Sequence, residues 1–190
     1  MINIEEVKKI AQNCLNCRNP VCVQHCPIAN PIPQILSLIK QEKIEEASNL
    51  LFKNTNAGPI CSRLCDFERQ CFGNCVLKSR NQAIKFYEVE KFLSQSFYAY
   101  PNLNISNEIR IAIIGAGISG LSCAIDLANS GYNVTIFEKT DQIGGVLAQT
   151  IPSFRFDSKL LEVYNLLLEK LDIKVAYNSE LGKNLFLEDL

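Results

Sequence analysis

Cys14-Leu-Asn-Cys17-Arg-Asn-Pro-Val-Cys22-Val-Gln-His-Cys26-Pro27 is the stretch that decides how the first half of this chain folds. Its spacing, C-x2-C-x4-C-x3-C-P, is close to the ferredoxin spacing with a longer central gap, and such loops let several thiolates converge on one iron–sulfur cube. A second quartet follows at Cys61, Cys65, Cys71 and Cys75, so that eight of the nine cysteines fall into two spaced sets. Eight thiolates suit two four-iron clusters. In two-cluster ferredoxins the cysteine before the proline ligates the other cluster, so Cys26 is expected to cross over to the centre of the second quartet. Zinc sites also use four thiolates, but they favour two close C-x2-C pairs separated by a longer loop. A disulfide framework is disfavoured by the odd cysteine total. The opening Met1-Ile2-Asn3-Ile4-Glu5-Glu6 lacks the basic and apolar regions of a signal peptide, and a reducing cytoplasm is expected.

The chain has 190 residues, 47% of them hydrophobic, and a formal net charge of -1. That supports real cores and excludes a disordered polymer. The near-neutral, mixed-sign charge offers no long-range attraction for nucleic acid or anionic lipid, so neither is expected as a partner. The apolar stretch from Ile111 to Ala128 approaches membrane-spanning length, but Gly115, Gly117, Gly120 and Asp126 interrupt it, and it reads as strand, turn and helix.

The first half, residues 1–97, reads as an α-helical cluster domain. Ile4, Val7, Ile10 and Ala11 share a helix face that Asn3 can cap. After Pro27, the prolines Pro31 and Pro33 lead into Ile35, Leu36 and Ile39, and a second face carries Ile44, Ala47, Leu50 and Leu51, which predicts two antiparallel helices. Asn56-Ala57-Gly58-Pro59 turns the chain back and delivers the second quartet beside the first. A last helix is expected over Ala83 to Ser96. Periodicity then fades over residues 98–108, which include Tyr98 and Tyr100 and read as a linker.

Residues 109–190 open on Arg110-Ile-Ala-Ile-Ile114, followed at once by Gly115-Ala-Gly117-Ile-Ser-Gly120 and a helix of small apolar residues. Strand, glycine turn and helix form the dinucleotide fingerprint. Gly115 permits the tight turn, Gly117 lets backbone approach a pyrophosphate, and Gly120 allows close helix packing, with the diphosphate at the helix N-terminus. Asn133-Val-Thr-Ile-Phe137 supplies the second strand, and Glu138 stands about 20 residues past the glycines, where a ribose hydroxyl needs an acceptor. Gly144-Gly145, just beyond, can bring further amides to a phosphate and favours FAD. A helix over Asp157 to Leu171 and a third strand over Ile173 to Tyr177 complete the expected α/β Rossmann-like part.

Taken together, these motifs resemble the N-terminal part of the glutamate synthase small (beta) subunit family, an arrangement shared with dihydropyrimidine dehydrogenase and the large subunit of electron-bifurcating ferredoxin:NADP oxidoreductase. The resemblance is carried by both quartets, the glycine fingerprint, Ile136-Phe-Glu-Lys139, Gly144-Gly145 and Ile151-Pro-Ser-Phe-Arg155. It implies an NAD(P)H-dependent oxidoreductase in which FAD is reduced and paired [4Fe-4S] clusters carry electrons to a partner subunit or domain. By position it implies Cys14, Cys17, Cys22 and Cys75 on one cluster and Cys26, Cys65 and Cys71 on the other. The fourth ligand of the second is either Glu90, from Val89-Glu90-Lys91-Phe92, or Cys61. For FAD the resemblance implicates Gly115, Ala116, Gly117, Ile118, Ser119, Gly120, Glu138, Lys139, Gly144, Gly145, Val146, Arg155 and Leu181.

Ile118 and Phe156-Asp157 depart from the prolines common in that family. The family's second nucleotide-binding domain for NAD(P)H has no counterpart here. The chain is therefore expected not to oxidise NAD(P)H alone, and a companion chain is expected to complete the flavoprotein. The competing reading is a non-catalytic, metal-stapled interaction module. His25, the only histidine, reads as a solvated loop residue, and Cys123 as a small core residue of the glycine-following helix. No triad or carboxylate pair appears, as suits chemistry carried by cofactors.

Overall fold

The computed structural model describes residues 2–96 and 108–190. The chain divides into two compact units, Met1–Ala99 and Tyr100–Leu190. The linker expected over 98–108, with Tyr98 and Tyr100, lies outside the described residues apart from Glu108. No helix among the described residues is long and apolar enough to cross a membrane.

Unit one is helical: α1 (Ile4–Gln12), α2 (Val21–Gln24), α3 (Ile32–Lys40), α4 (Ile44–Asn54), α5 (Gly58–Leu64) and α6 (Phe86–Ser96). Asn3 caps α1 through a reciprocal box: its side chain accepts from the Glu6 N–H at 3.0 Å, and the Glu6 carboxylate accepts from the Asn3 N–H at 2.9 Å. Three residues join α3 to α4. There Glu42 takes a left-handed φ of 63° and the Lys43 N–H returns to the Leu38 carbonyl at 2.9 Å, a tight reversal that sets the two helices antiparallel. Gly58 and Pro59 both break the chain and start α5, where a proline costs no hydrogen bond. A Cβ on Gly58 would come within 2.5 Å of the Ser94 hydroxyl on α6, so the glycine lets these helices meet closely. Val7, Ile35, Leu36, Ala47, Val89 and Leu93 are buried in the common core.

Two local expectations change. The last helix begins at Phe86 rather than Ala83, because the 3-10 turn Lys78–Arg80 ends on left-handed Asn81 and residues 82–85 are irregular. A single helical turn, α2, stands inside the first cysteine loop, too short to leave a periodic signal.

Unit two contains β1 (Arg110–Ile114), α7 (Ile118–Asn129), β2 (Asn133–Phe137), α8 (Val146–Gln149), α9 (Glu162–Lys170) and β3 (Lys174–Ala176). The sheet is parallel in the order β1-β2-β3, with Ile113 opposite Ile136 and Ile136 opposite Val175. The helix expected from Asp157 is divided: Asp157 caps a 3-10 turn over Ser158–Leu161, accepting from the Lys159 N–H at 3.0 Å, before α9 begins. On α7 the buried face is Leu121, Ala124, Ile125 and Ala128. Cys123 lies off that face and is exposed, which corrects its reading as a core residue. Val134 and Ile136 of β2 are buried, yet none of the five residues of β1 is. Parallel strands normally lie buried on both faces, and β1 has a single neighbouring strand among the described residues.

Replacing Asn3 by Ala removes one half of the capping box and is expected to lower stability by about 1 kcal/mol, read as a reduced urea midpoint of unit one in circular dichroism.

Candidate functional site

In unit one the cysteine side chains ring two neighbouring cavities. Cys14, Cys17, Cys22 and Cys75 line the first; Cys26, Cys61 and Cys65 line the second together with Glu90; and Cys71 borders both. Local backbone explains the first gathering. Asn16 adopts a left-handed φ of 51°, which asparagine tolerates, and this bend carries Cys14 and Cys17 to the same cavity wall. Cys26 lies beyond the end of α2, after the cap residue His25, and so leaves the first cavity for the second. His25 is exposed, its Nδ1 within 3.0 Å of the Val21 carbonyl, in line with a solvated loop position.

Electrostatics divide the thiols in the same way. Burial, then the neighbouring Cys75 and Cys14, push the Cys22 thiol up to about 11. Burial, then Glu90, Cys65 and Cys26, push Cys61 up to about 12. Burial followed by Cys65, Cys26 and Glu90 does the same for Cys71. Crowded thiols of this kind ionise only when a cation shares the cavity, so the donor chemistry fits an iron–sulfur group. Among the described residues no three His, Cys, Asp or Glu side chains are gathered tightly enough for a single metal ion. All nine cysteines are free thiols.

Glu90 is buried, 5% exposed, and accepts a hydrogen bond from Asn30 Nδ2 at 2.9 Å. Burial pushes its carboxyl up to about 7 despite that bond. The Cys65 thiol donates to Gln70 Oε1 at 2.6 Å, and Lys40 Nζ donates to the Cys14 carbonyl at 2.6 Å. Phe67 stacks on Tyr87 with centroids 3.9 Å apart, and both rings wall the second cavity.

In unit two the glycine turn, the end of β2 and the second glycine pair surround one cleft. Gly115, Glu138, Lys139, Gly145, Val146 and Leu181 are among the residues lining it. Gly115 has φ +98°, and a Cβ at Gly115 or Gly117 would meet nothing within 4 Å, so the space beside this backbone is open to a ligand. A Cβ on Gly120 would instead collide with the Gly115 carbonyl oxygen, which makes glycine obligatory for the helix to sit on the turn. The Gly144 N–H donates to the Ala116 carbonyl at 2.8 Å, strapping the second glycine loop to the first. No side chain caps α7 at Gly117, leaving its first amides available to an anion. The Glu138 carboxylate accepts from the Ala116 N–H at 2.7 Å and from the Thr140 N–H and hydroxyl at 2.9 and 2.8 Å. Burial alone would raise its pKa, but these bonds and the Lys139 charge outweigh it and hold the carboxyl below the usual range.

Residues 1–101 match the family described as dihydropyrimidine dehydrogenase domain II, 4Fe-4S cluster. The chain belongs to that family. Residues 113–160 match the NAD(P)-binding Rossmann-like domain, so an iron–sulfur domain precedes a Rossmann-like domain in one chain. Relatives run through both. The glutamate synthase [NADPH] small chain of Halomonas elongata is 32% identical over 95% of this chain and 39% of its own length. The putative oxidoreductase AegA of Escherichia coli is 33% identical over 98% of this chain and 29% of its own. The NAD-dependent dihydropyrimidine dehydrogenase subunit PreT of Escherichia coli O157:H7 is 31% identical over 96% and 45%. The chain therefore spans less than half the length of these relatives.

Most residues singled out from the sequence of this iron–sulfur family member meet at one of the three places described. Ala116 is buried behind the glycine turn, Ser119 is exposed in the first turn of α7, and Ile118 starts that helix. Arg155 is exposed and does not line the cleft. Asn30, Gln70 and Lys40 went unmarked: they lie outside the cysteine spacing, and isolated polar residues carry no periodic signal. Asn30 could have been suspected only from the polar break it makes between Pro27 and the apolar face of α3.

Glu138→Gln puts an NH2 where one acceptor oxygen stood and is expected to cost unit two about 1–3 kcal/mol at neutral pH. The native carboxyl titrates below its unfolded value, so the wild-type advantage is full above the unfolded pKa and fades as pH falls through the native one. Urea unfolding of both proteins between pH 7 and pH 3 should show the gap closing in acid.

Proposed function

We propose that this chain is the electron-transfer part of an NAD(P)H-dependent FAD and iron–sulfur oxidoreductase, glutamate synthase small subunit-like, passing electrons through two [4Fe-4S] clusters to a partner. The observation that carries the reading is the pair of thiol-ringed cavities that meet at Cys71. Cys14, Cys17, Cys22 and Cys75 are the proposed ligands of the first cluster, and Cys26, Cys65, Cys71 and Glu90 of the second. When bound, the clusters supply one-electron carriage and the flavin a two-electron hydride acceptor.

Glu90 is preferred over Cys61 on grounds of cost. A neutral thiol can remain buried as a small apolar group, whereas a buried carboxylate facing thiols is unfavourable unless a cation compensates it. Phe67 and Tyr87 give the second cavity an apolar wall, which would strengthen the field around a cluster held there. In unit two the open backbone at Gly115 and Gly117 and the uncapped start of α7 would take the FAD diphosphate. Glu138 retains lone-pair capacity for a ribose hydroxyl beside its present donors, and Lys139, Val146 and Leu181 border the same space. The unburied β1 supports completion of the flavoprotein by further polypeptide, either a companion chain or another domain, which would also bring the nicotinamide site. Free thiols throughout suit a reducing compartment such as the cytoplasm.

Anaerobic purification should yield about eight irons and eight sulfides per chain, with a visible band bleached by dithionite. Cys75→Ser and Glu90→Gln should each remove about half the iron, and Cys61→Ser should leave it unchanged. Stoichiometric zinc without sulfide would overturn the electron-transfer reading in favour of a structural module.

A further inference from the structure

Beside the second cavity, three polar side chains from three parts of the fold form a single file. Asn54, the last residue of α4, donates from Nδ2 to the Ile28 carbonyl at 3.0 Å and to Asn30 Oδ1 at 3.0 Å. Asn30 in turn donates from Nδ2 to Glu90 Oε1 on α6 at 2.9 Å. Asn30 is 1% exposed and Glu90 5%, so water does not compete for these two, while Asn54 stands at the exposed end of the file.

The polarity of this file is dictated from one end. A backbone carbonyl only accepts, so the Asn54 atom facing Ile28 must be its nitrogen. The Asn30 atom facing that nitrogen must then be the oxygen, and its NH2 is left to face Glu90. Glu90 Oε1 is thus committed as an acceptor, and the carboxylate cannot turn without abandoning a buried donor. Glu90 itself lines the cavity that Cys26, Cys65 and Cys71 also line.

Resting on the reading of Glu90 as a ligand, we infer that Asn30, oriented by Asn54, is the positioning residue of the second iron–sulfur cluster, holding one Glu90 oxygen so that the other is presented to iron. A carboxylate is a flexible, two-faced donor in a set otherwise made of thiolates, and a ligand of that kind needs its orientation fixed from outside the coordination sphere.

The test is the full chain, loaded anaerobically, reduced with dithionite and read by electron paramagnetic resonance together with iron content. Asn30→Leu and Asn30→Asp should each abolish or shift the second cluster's signal, with loss of up to half the iron, while the first cluster's signal stays as in the wild type. Loss of both signals together would mean a merely structural role and would overturn the inference, as would two unchanged signals. Glu90→Gln separates the underlying reading: if it leaves the second cluster unaltered, the ligand assignment falls and the inference with it. If Glu90→Gln removes the cluster and Asn30→Leu does not, the inference alone falls. In a Glu90→Cys chain that retains both clusters, Asn30→Leu should have no further effect, because a thiolate needs no amide to aim it; an equal loss there would overturn the proposal.

Discussion

The helical unit is organised around two cavities into which its helices crowd eight thiols. Each cavity gathers several half-buried cysteines, and burial with mutual repulsion raises Cys22, Cys61 and Cys71 well above their ordinary range. An iron–sulfur group held by these thiols would reverse that penalty and would link cofactor binding to the stability of this unit. The helices serve this requirement. The short reversal between α3 and α4, the break at Gly58 and the close α5–α6 approach bring the second quartet within reach of the first.

The Rossmann-like unit answers to a steric constraint instead. Gly120 must lack a Cβ for α7 to sit on the glycine turn, and that turn, through Gly115, lines the cleft. Glu138 then ties the end of β2 to the turn through Ala116, so the same carboxylate that would face a ribose also holds the loop that would face the diphosphate. One residue couples site shape to local stability. The weak burial of β1 shows that this scaffold is adequate for the cleft but leaves apolar strand surface uncovered.

Much of this was legible in the order of residues. Cysteine spacing separated two quartets, the glycine fingerprint located β1 and α7, and Glu138 stands at the end of β2. Covalent spacing and backbone geometry are local, so they survive reading one residue at a time. Periodicity also recovered α1, α3, α4 and α9, although it joined the 3-10 turn at Ser158 to α9 and missed the single turn of α2, whose length is below one period of signal.

What required the tertiary structure were facts about neighbours distant in sequence. Cys123 belongs to an apolar helix, yet its angular position turns it away from the buried face. Cys71 lies on the border of both cavities, a position that spacing cannot convey. Asn30 and Glu90 are sixty residues apart, and neither has a pattern that points to the other. Sequence by itself determined the cysteine and glycine motifs, because thiol number and glycine placement follow from chemistry and sterics along a short stretch of backbone. Tertiary structure decided which buried polar groups meet, because an unpaired amide or carboxylate in a core must find its partner wherever the packing of helices happens to bring one.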